Sequence, residues 1–303
     1  MYRYLFVIDS RTNPCAASTR FCSSKLYTGF CNEETKTDYR VVFSCSIRHF
    51  SKGKAVTLHR KTRNKTLQMR KTVLVTGANK GIGFGIAKHL GLCGWKVIIG
   101  ARNEQRAEKA IGELKSQGID VLGWVHIELK DLDGIDKAAK EIAERYPELS
   151  LLVNNAGIPG DMSVDSQHTE INVIQETLDV NFVGTFALTK ALIPLLGKNC
   201  GRIANITVPS EISPYWHPLA YVASKAAQNA MMGVMAIEFQ QSGTPLEVFS
   251  VHPGPTTTDL NGNMSLPGFH DIETIGQKFA ELICDGKNHQ GEFVELYPIV
   301  KED

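Results

Sequence analysis

TVLVTGANKGIGFGIAKHLGLCG, residues 72–94, decides the fold. It opens with a short β-branched apolar run, turns through glycines at Gly77, Gly81 and Gly83, and continues as a helical pattern. Glycines there permit a tight turn and let the backbone approach a pyrophosphate, which then sits on the positive end of the helix. A glycine-rich turn alone is weak, but its place between a strand and a helix gives it meaning.

Outward from this stretch the alternation repeats. KVIIGA, VLGWVHI, LSLLVNN, GRIANIT, LEVFSVH and the late EFVELY supply six more candidate strands, making seven with TVLVTG. Between them lie helical patterns such as EQRAEKAIGELKSQG and DGIDKAAKEIAERY, stopped where Gly118 and Pro147 stop them. Repeated βα units predict an α/β fold, a doubly wound seven-stranded parallel sheet in a single domain over residues 69–303. A ligand is expected beyond the carboxyl ends of the strands.

Residues 1–68 read differently: they lack sustained periodicity, are rich in Ser, Thr, Arg and Lys, and hold only Asp9, Glu33, Glu34 and Asp38 as acids. They fit either an organelle-targeting leader or a disordered extension ahead of a functional start at Met69. A formal net charge of +1 gives no electrostatic case for nucleic acid or an anionic membrane, and no apolar run reads as a membrane span. The seven cysteines show neither a CxxC pair nor ligand spacing with histidines, so no metal is expected. A cytoplasmic site is the expectation, with organelle import through the N-terminal segment left open.

TGxxxGIG at Thr76–Gly83, NNAG at Asn154–Gly157, YVASK at Tyr221–Lys225 and PG at Pro253–Gly254 fall in an order and spacing that resembles the short-chain dehydrogenase/reductase family. The resemblance covers essentially residues 70–303, and the NKGIG form with the late GEF segment is most similar to its carbonyl reductase branch. It implies a Rossmann domain and an oxidoreductase using NADP(H), with Gly77, Asn79, Lys80, Gly81, Ile82 and Gly83 forming the cofactor loop. The second strand ends KVIIG-Ala101-Arg102, with no carboxylate to repel a 2′-phosphate. Arg102 and Lys80 are cations suited to that phosphate and hence to NADPH. The resemblance sets Asn154, Ala156 and Gly157 around the adenine ribose, Pro253 and Gly254 at a turn by the nicotinamide, and Thr258 against its carboxamide or the pyrophosphate. Glu128 stands where the family carries an acid near the adenine; it reads equally as a capping or surface carboxylate.

Tyr221 and Lys225 are four residues apart in a helical run, so they share a face. A phenol is a poor acid–base group near neutrality, and a neighbouring ammonium is expected to lower its pKa. The resemblance implies that Tyr221 protonates a carbonyl oxygen, that Lys225 also holds the nicotinamide ribose, and that Asn181 kinks a helix and holds a relay water. It further implies a serine thirteen residues before the tyrosine, where this chain has Val208, which cannot donate to an oxygen. Ser210 is the favoured substitute and Thr207 the alternative.

Tyr215, Trp216 and His217 either line an apolar substrate pocket or are packed loop side chains, and NGNMSLPGFH (261–270) has a lid's composition. The leading expectation is reduction of a small aldehyde or ketone to an alcohol. The alternatives are an NADPH-binding regulatory or catalytically weakened protein, motivated by Val208, and an enone reductase on the same scaffold. The family implies a homodimer or homotetramer paired through the long central helices.

Overall fold

The computed structural model describes residues 72–297. The readings made for residues 1–68 lie outside the described residues. Seven strands form one parallel sheet: β1 (Thr72–Thr76), β2 (Lys96–Ala101), β3 (Val121–His126), β4 (Leu151–Asn154), β5 (Arg202–Ile206), β6 (Glu247–His252) and β7 (Phe293–Glu295). Their order is β3-β2-β1-β4-β5-β6-β7, so the chain winds outward from β1, crosses back to β4 and winds the other way. That reversal opens a crevice beyond the carboxyl ends of β1 and β4.

Alternation along each strand divides the core into two layers. Val73, Val75, Val97, Ile99, Leu151 and Val153 face α1 (Gly81–Leu92), α2 (Glu104–Ser116) and α7 (Ile272–Cys284), meeting Ile86, Leu114 and Phe279. The intervening Leu74, Ile98 and Leu152 face α3 (Leu132–Arg145), α5 (Thr185–Lys198) and α6 (Leu219–Ser242), meeting Ile142, Leu192 and Met235. Strands apolar on both faces are the mark of a sheet covered on both sides, and each such side chain contributes about 1.5–3 kcal/mol by its burial.

Between β4 and β5 the chain forms α4 (Ile171–Leu178), a π-helical turn at Asp179–Gly184, and α5 without a break. This run, 171–198, corrects the expectation that no apolar stretch has the length of a membrane span: by length and composition it qualifies. Leu188, Leu192 and Leu196 are fully buried in the second layer, as in a core helix.

Candidate active site

The glycine turn stands at the head of the crevice. Gly77 and Gly81 have φ of +67° and +59°, which side chains disfavour, and a Cβ on Gly83 would lie 2.7 Å from the Gly77 carbonyl oxygen. The amide of Asn155 braces the turn by donating to the Thr76 carbonyl at 2.9 Å, while Thr76 Oγ1 accepts from the backbone N–H groups of Asn155 and Ala156. The fold thus ties NNAG to the glycine turn. Asn154, by contrast, turns inward: it is buried and donates to Thr189 Oγ1 at 2.9 Å, so its side chain belongs to the core while Ala156 and Gly157 continue the crevice. A Cβ on Gly157 would meet Asn181 Oδ1 at 2.9 Å.

Cations gather at the outer end. Lys80, Asn79, Arg106 and Asp259 line a cavity of about 460 Å³. Lys80 Nζ lies 2.8 Å from Asp259, in the segment that follows Pro253–Gly254, and this pairing holds the Asp259 carboxyl below its ordinary range. Thr258 caps the short 3₁₀ turn at Asp259–Asn261 and comes within 4 Å of where a Cβ on Gly81 would stand. Arg102 at the end of β2 approaches Glu128 at 3.8 Å, and both line a second cavity of about 410 Å³. Arg106 was not singled out from the sequence. Its signal was its position in the first turn of a helix capped by Asn103, four residues after Arg102.

Tyr221 and Lys225 lie in the first two turns of α6, both buried. Lys225 Nζ donates to the Ile206 carbonyl at 2.9 Å and to Gln228 Oε1 at 3.0 Å, and lies 5.7 Å from the centre of the Tyr221 ring. Burial pushes the Tyr221 phenol up to about 12 and the Lys225 ammonium down to about 8. For the phenol the direction is opposite to the lowering expected from its neighbour, and its cause is desolvation of the phenolate by burial. Tyr221 is protonated at neutral pH, as a proton donor must be.

Asn181 occupies the π-helical turn, a geometry that recurs at functional sites. Its side chain accepts from Ile158 N–H at 2.8 Å and donates to the Ile158 carbonyl and to Ser224 Oγ, each at 2.9 Å. Its own main-chain carbonyl accepts from Gln228 Nε2. Gln228 was missed in the sequence, where its only signal was an amide in the Ala- and Met-rich run after Lys225.

The hydroxyls near Val208 are placed as follows. Thr207 is buried, with its Oγ1 only 3.4 Å from the Val208 carbonyl. Ser210 is exposed and accepts from Asn229 Nδ2 at 3.1 Å, and Asn229 stands eight residues beyond Tyr221, about 12 Å along the helix axis. Asn229 is four residues, one helical turn, beyond Lys225. Trp216 packs edge-on against Tyr221, with ring centres 5.5 Å apart, whereas Tyr215 is 96% exposed and His217 bonds the Ser213 carbonyl. Gly254 (φ +84°) lies against His270, which stacks on Tyr297 at 3.7 Å.

A family model described as short chain dehydrogenase matches residues 71–266. Estradiol 17-beta-dehydrogenase 2 of Mus musculus is 30% identical over 199 residues, 65% of this chain and 51% of that protein, so the chain spans about half the length of this relative. The NADPH-bound carbonyl reductase from chicken fatty liver is similar in structure, with a TM-score of 0.67 and 25% identity over 75% of this chain and 96% of that one. An alcohol dehydrogenase from the archaeon Thermococcus sibiricus, complexed with 5-hydroxy-NADP, has a TM-score of 0.68 and 25% identity over 77% and 98% of the two chains.

Proposed function

Because the chain belongs to the short-chain dehydrogenase/reductase family of oxidoreductases, we propose that it reduces an aldehyde or ketone to an alcohol with NADPH, Tyr221 serving as the proton donor. The observation that carries this reading is the buried Tyr221–Lys225 pair on one face of α6. The side-chain-free cradle at Gly77–Gly83 suits a dinucleotide, and Lys80, Arg102 and Arg106 suit its 2′-phosphate. NADPH and 5-hydroxy-NADP in the two solved relatives support that choice.

When bound, NADPH supplies a hydride to the carbonyl carbon. Tyr221 gives its phenolic proton to the oxygen, and Lys225, charged below about pH 8, steadies the phenolate left behind. Lys225 would also hold the nicotinamide ribose, and Glu128, Ala156, Gly157, Pro253 and Thr258 would flank the remainder of the cofactor. Asn181 acts through the fold, clasping the NNAG turn to α6. Trp216 gives the substrate side an apolar edge, suiting a carbonyl with apolar substituents.

Val208 favours a second reading, an NADPH-binding protein with weakened turnover, because the carbonyl lacks a hydroxyl donor at that position. Substrate-dependent NADPH oxidation across a panel of aldehydes and ketones, with NADH as control, separates the two. The first reading predicts turnover with NADPH that Val208→Ser raises about tenfold or more. NADPH binding without turnover by the parent would support the second.

A further inference from the structure

Behind Lys225, away from the crevice, lies a closed polar cluster among β5, the π-helical turn, α5 and α6. Gln228 is at its centre and 1% exposed. Its Oε1 accepts from Lys225 Nζ at 3.0 Å and is approached by Asn205 Nδ2 at 3.5 Å; its Nε2 donates to the Asn181 carbonyl and approaches Thr185 Oγ1 at 3.3 Å. The amide has one workable orientation. Flipped, it would set NH₂ against an ammonium and oxygen against a carbonyl.

We propose that Gln228 is the positioning residue for Lys225: its side-chain amide spans the ammonium and the Asn181 carbonyl. This rests on the reading of Lys225 as partner to Tyr221, but the bridge itself does not. An ammonium has three N–H donors; Ile206 and Gln228 take two, leaving one for the crevice side. The amide's acceptor end stabilises the charged form in a place where burial opposes it. A carboxamide is also a poor proton carrier, so this bridge fixes geometry and does not relay the proton that Tyr221 must regain.

Among the described residues, no charged side chain competes for this role. On α6 the neighbouring titratable group is Tyr221. Arg202 of β5 pairs with Glu247 of β6, His252 of β6 bonds the Thr207 carbonyl, and Glu176 of α4 pairs with Lys130. Asp179 of the π-helical turn and Lys190 of α5 are exposed. Burial is the cause of the shift at Lys225.

The test is the titration of Lys225 in the full chain, followed by ¹³Cε NMR and assigned through Lys225→Arg, in the parent, Gln228→Met and Gln228→Glu. The parent transition is expected near pH 8. Methionine keeps the volume but removes the acceptor, and should lower the transition by roughly one pH unit; glutamate adds a negative charge and should raise it by at least as much. The basic limb of kcat with NADPH should move in the same two directions. Unchanged transitions, or shifts of both variants in one direction, would overturn the proposal. If Gln228→Met does not fold, Gln228→Glu decides by the same rule. Absence of turnover in the parent would count against carbonyl reduction while leaving the NMR result to judge Gln228.

Discussion

At Gly83 a methyl group would stand 2.4 Å from Asn155 Nδ2 and 2.7 Å from the Gly77 carbonyl. The second contact is with backbone, so the turn itself would have to open. Gly83→Ala is therefore expected to weaken NADPH binding by at least about tenfold and to lower the thermal midpoint, read by NADPH fluorescence titration and by calorimetry. Gly83 was legible because a glycine at that spacing serves a physical need. Residues chosen by the folded surroundings were less legible. Asn154 and Asn155 are chemically identical neighbours, and only the strand's parity sends one to Thr189 and the other to Thr76. Ser210 looked suited to replace a missing hydroxyl, and its partner Asn229, one turn of α6 beyond Lys225, gave no signal in the sequence. Gln228 could not be tied to Asn181 before the π-helical turn, 47 residues earlier, was seen to present a carbonyl.

At the scale of elements, the cations proposed for the 2′-phosphate, and the carboxylate paired with one of them, come from three segments that the sequence separates widely and line two cavities. The glycine turn gives Lys80, the end of β2 and the start of α2 give Arg102 and Arg106, and the segment after β6 gives Asp259. The Lys80–Asp259 pair is exposed, so its own contribution to stability is small, and a phosphate with several donors can displace the carboxylate. Arg102→Asp should reverse the preference between NADPH and NADH by at least about 10²-fold, through lost attraction and new repulsion. Dissociation constants for both cofactors at fixed ionic strength would show it. An unchanged ratio would remove Arg102 from the phosphate site. Strand order was legible because apolar runs and glycine stops recur at βα spacing, whereas the helices at 171–198 and 272–284 were not singled out. The irregular turn at Asn181 was legible only through the family resemblance, which set a helix kink there, since DVNFVG by itself suits an ordinary helix.

Over the whole molecule, the two core layers fix the sheet and the winding reversal fixes the crevice, while Lys225 is tied to the carboxyl end of β5 through the Ile206 carbonyl. The apolar run at 171–198 shows how composition misleads without context, since its leucines pack beneath the sheet. On the opposite side of α6, Val234 and Ile237 are more than half exposed, and Phe186 of α5 is also exposed; this is the face that pairing through the central helices would cover. The central proposal is a division of labour in which the crevice would bind NADPH and Tyr221 would provide the proton that completes reduction. The most direct test compares the parent with Tyr221→Phe for NADPH affinity and for single-turnover NADPH oxidation with a carbonyl substrate the parent accepts. The account predicts NADPH binding within about twofold of the parent and a loss of hydride transfer of at least about 10²-fold. Transfer by Tyr221→Phe at the parent's rate would contradict it.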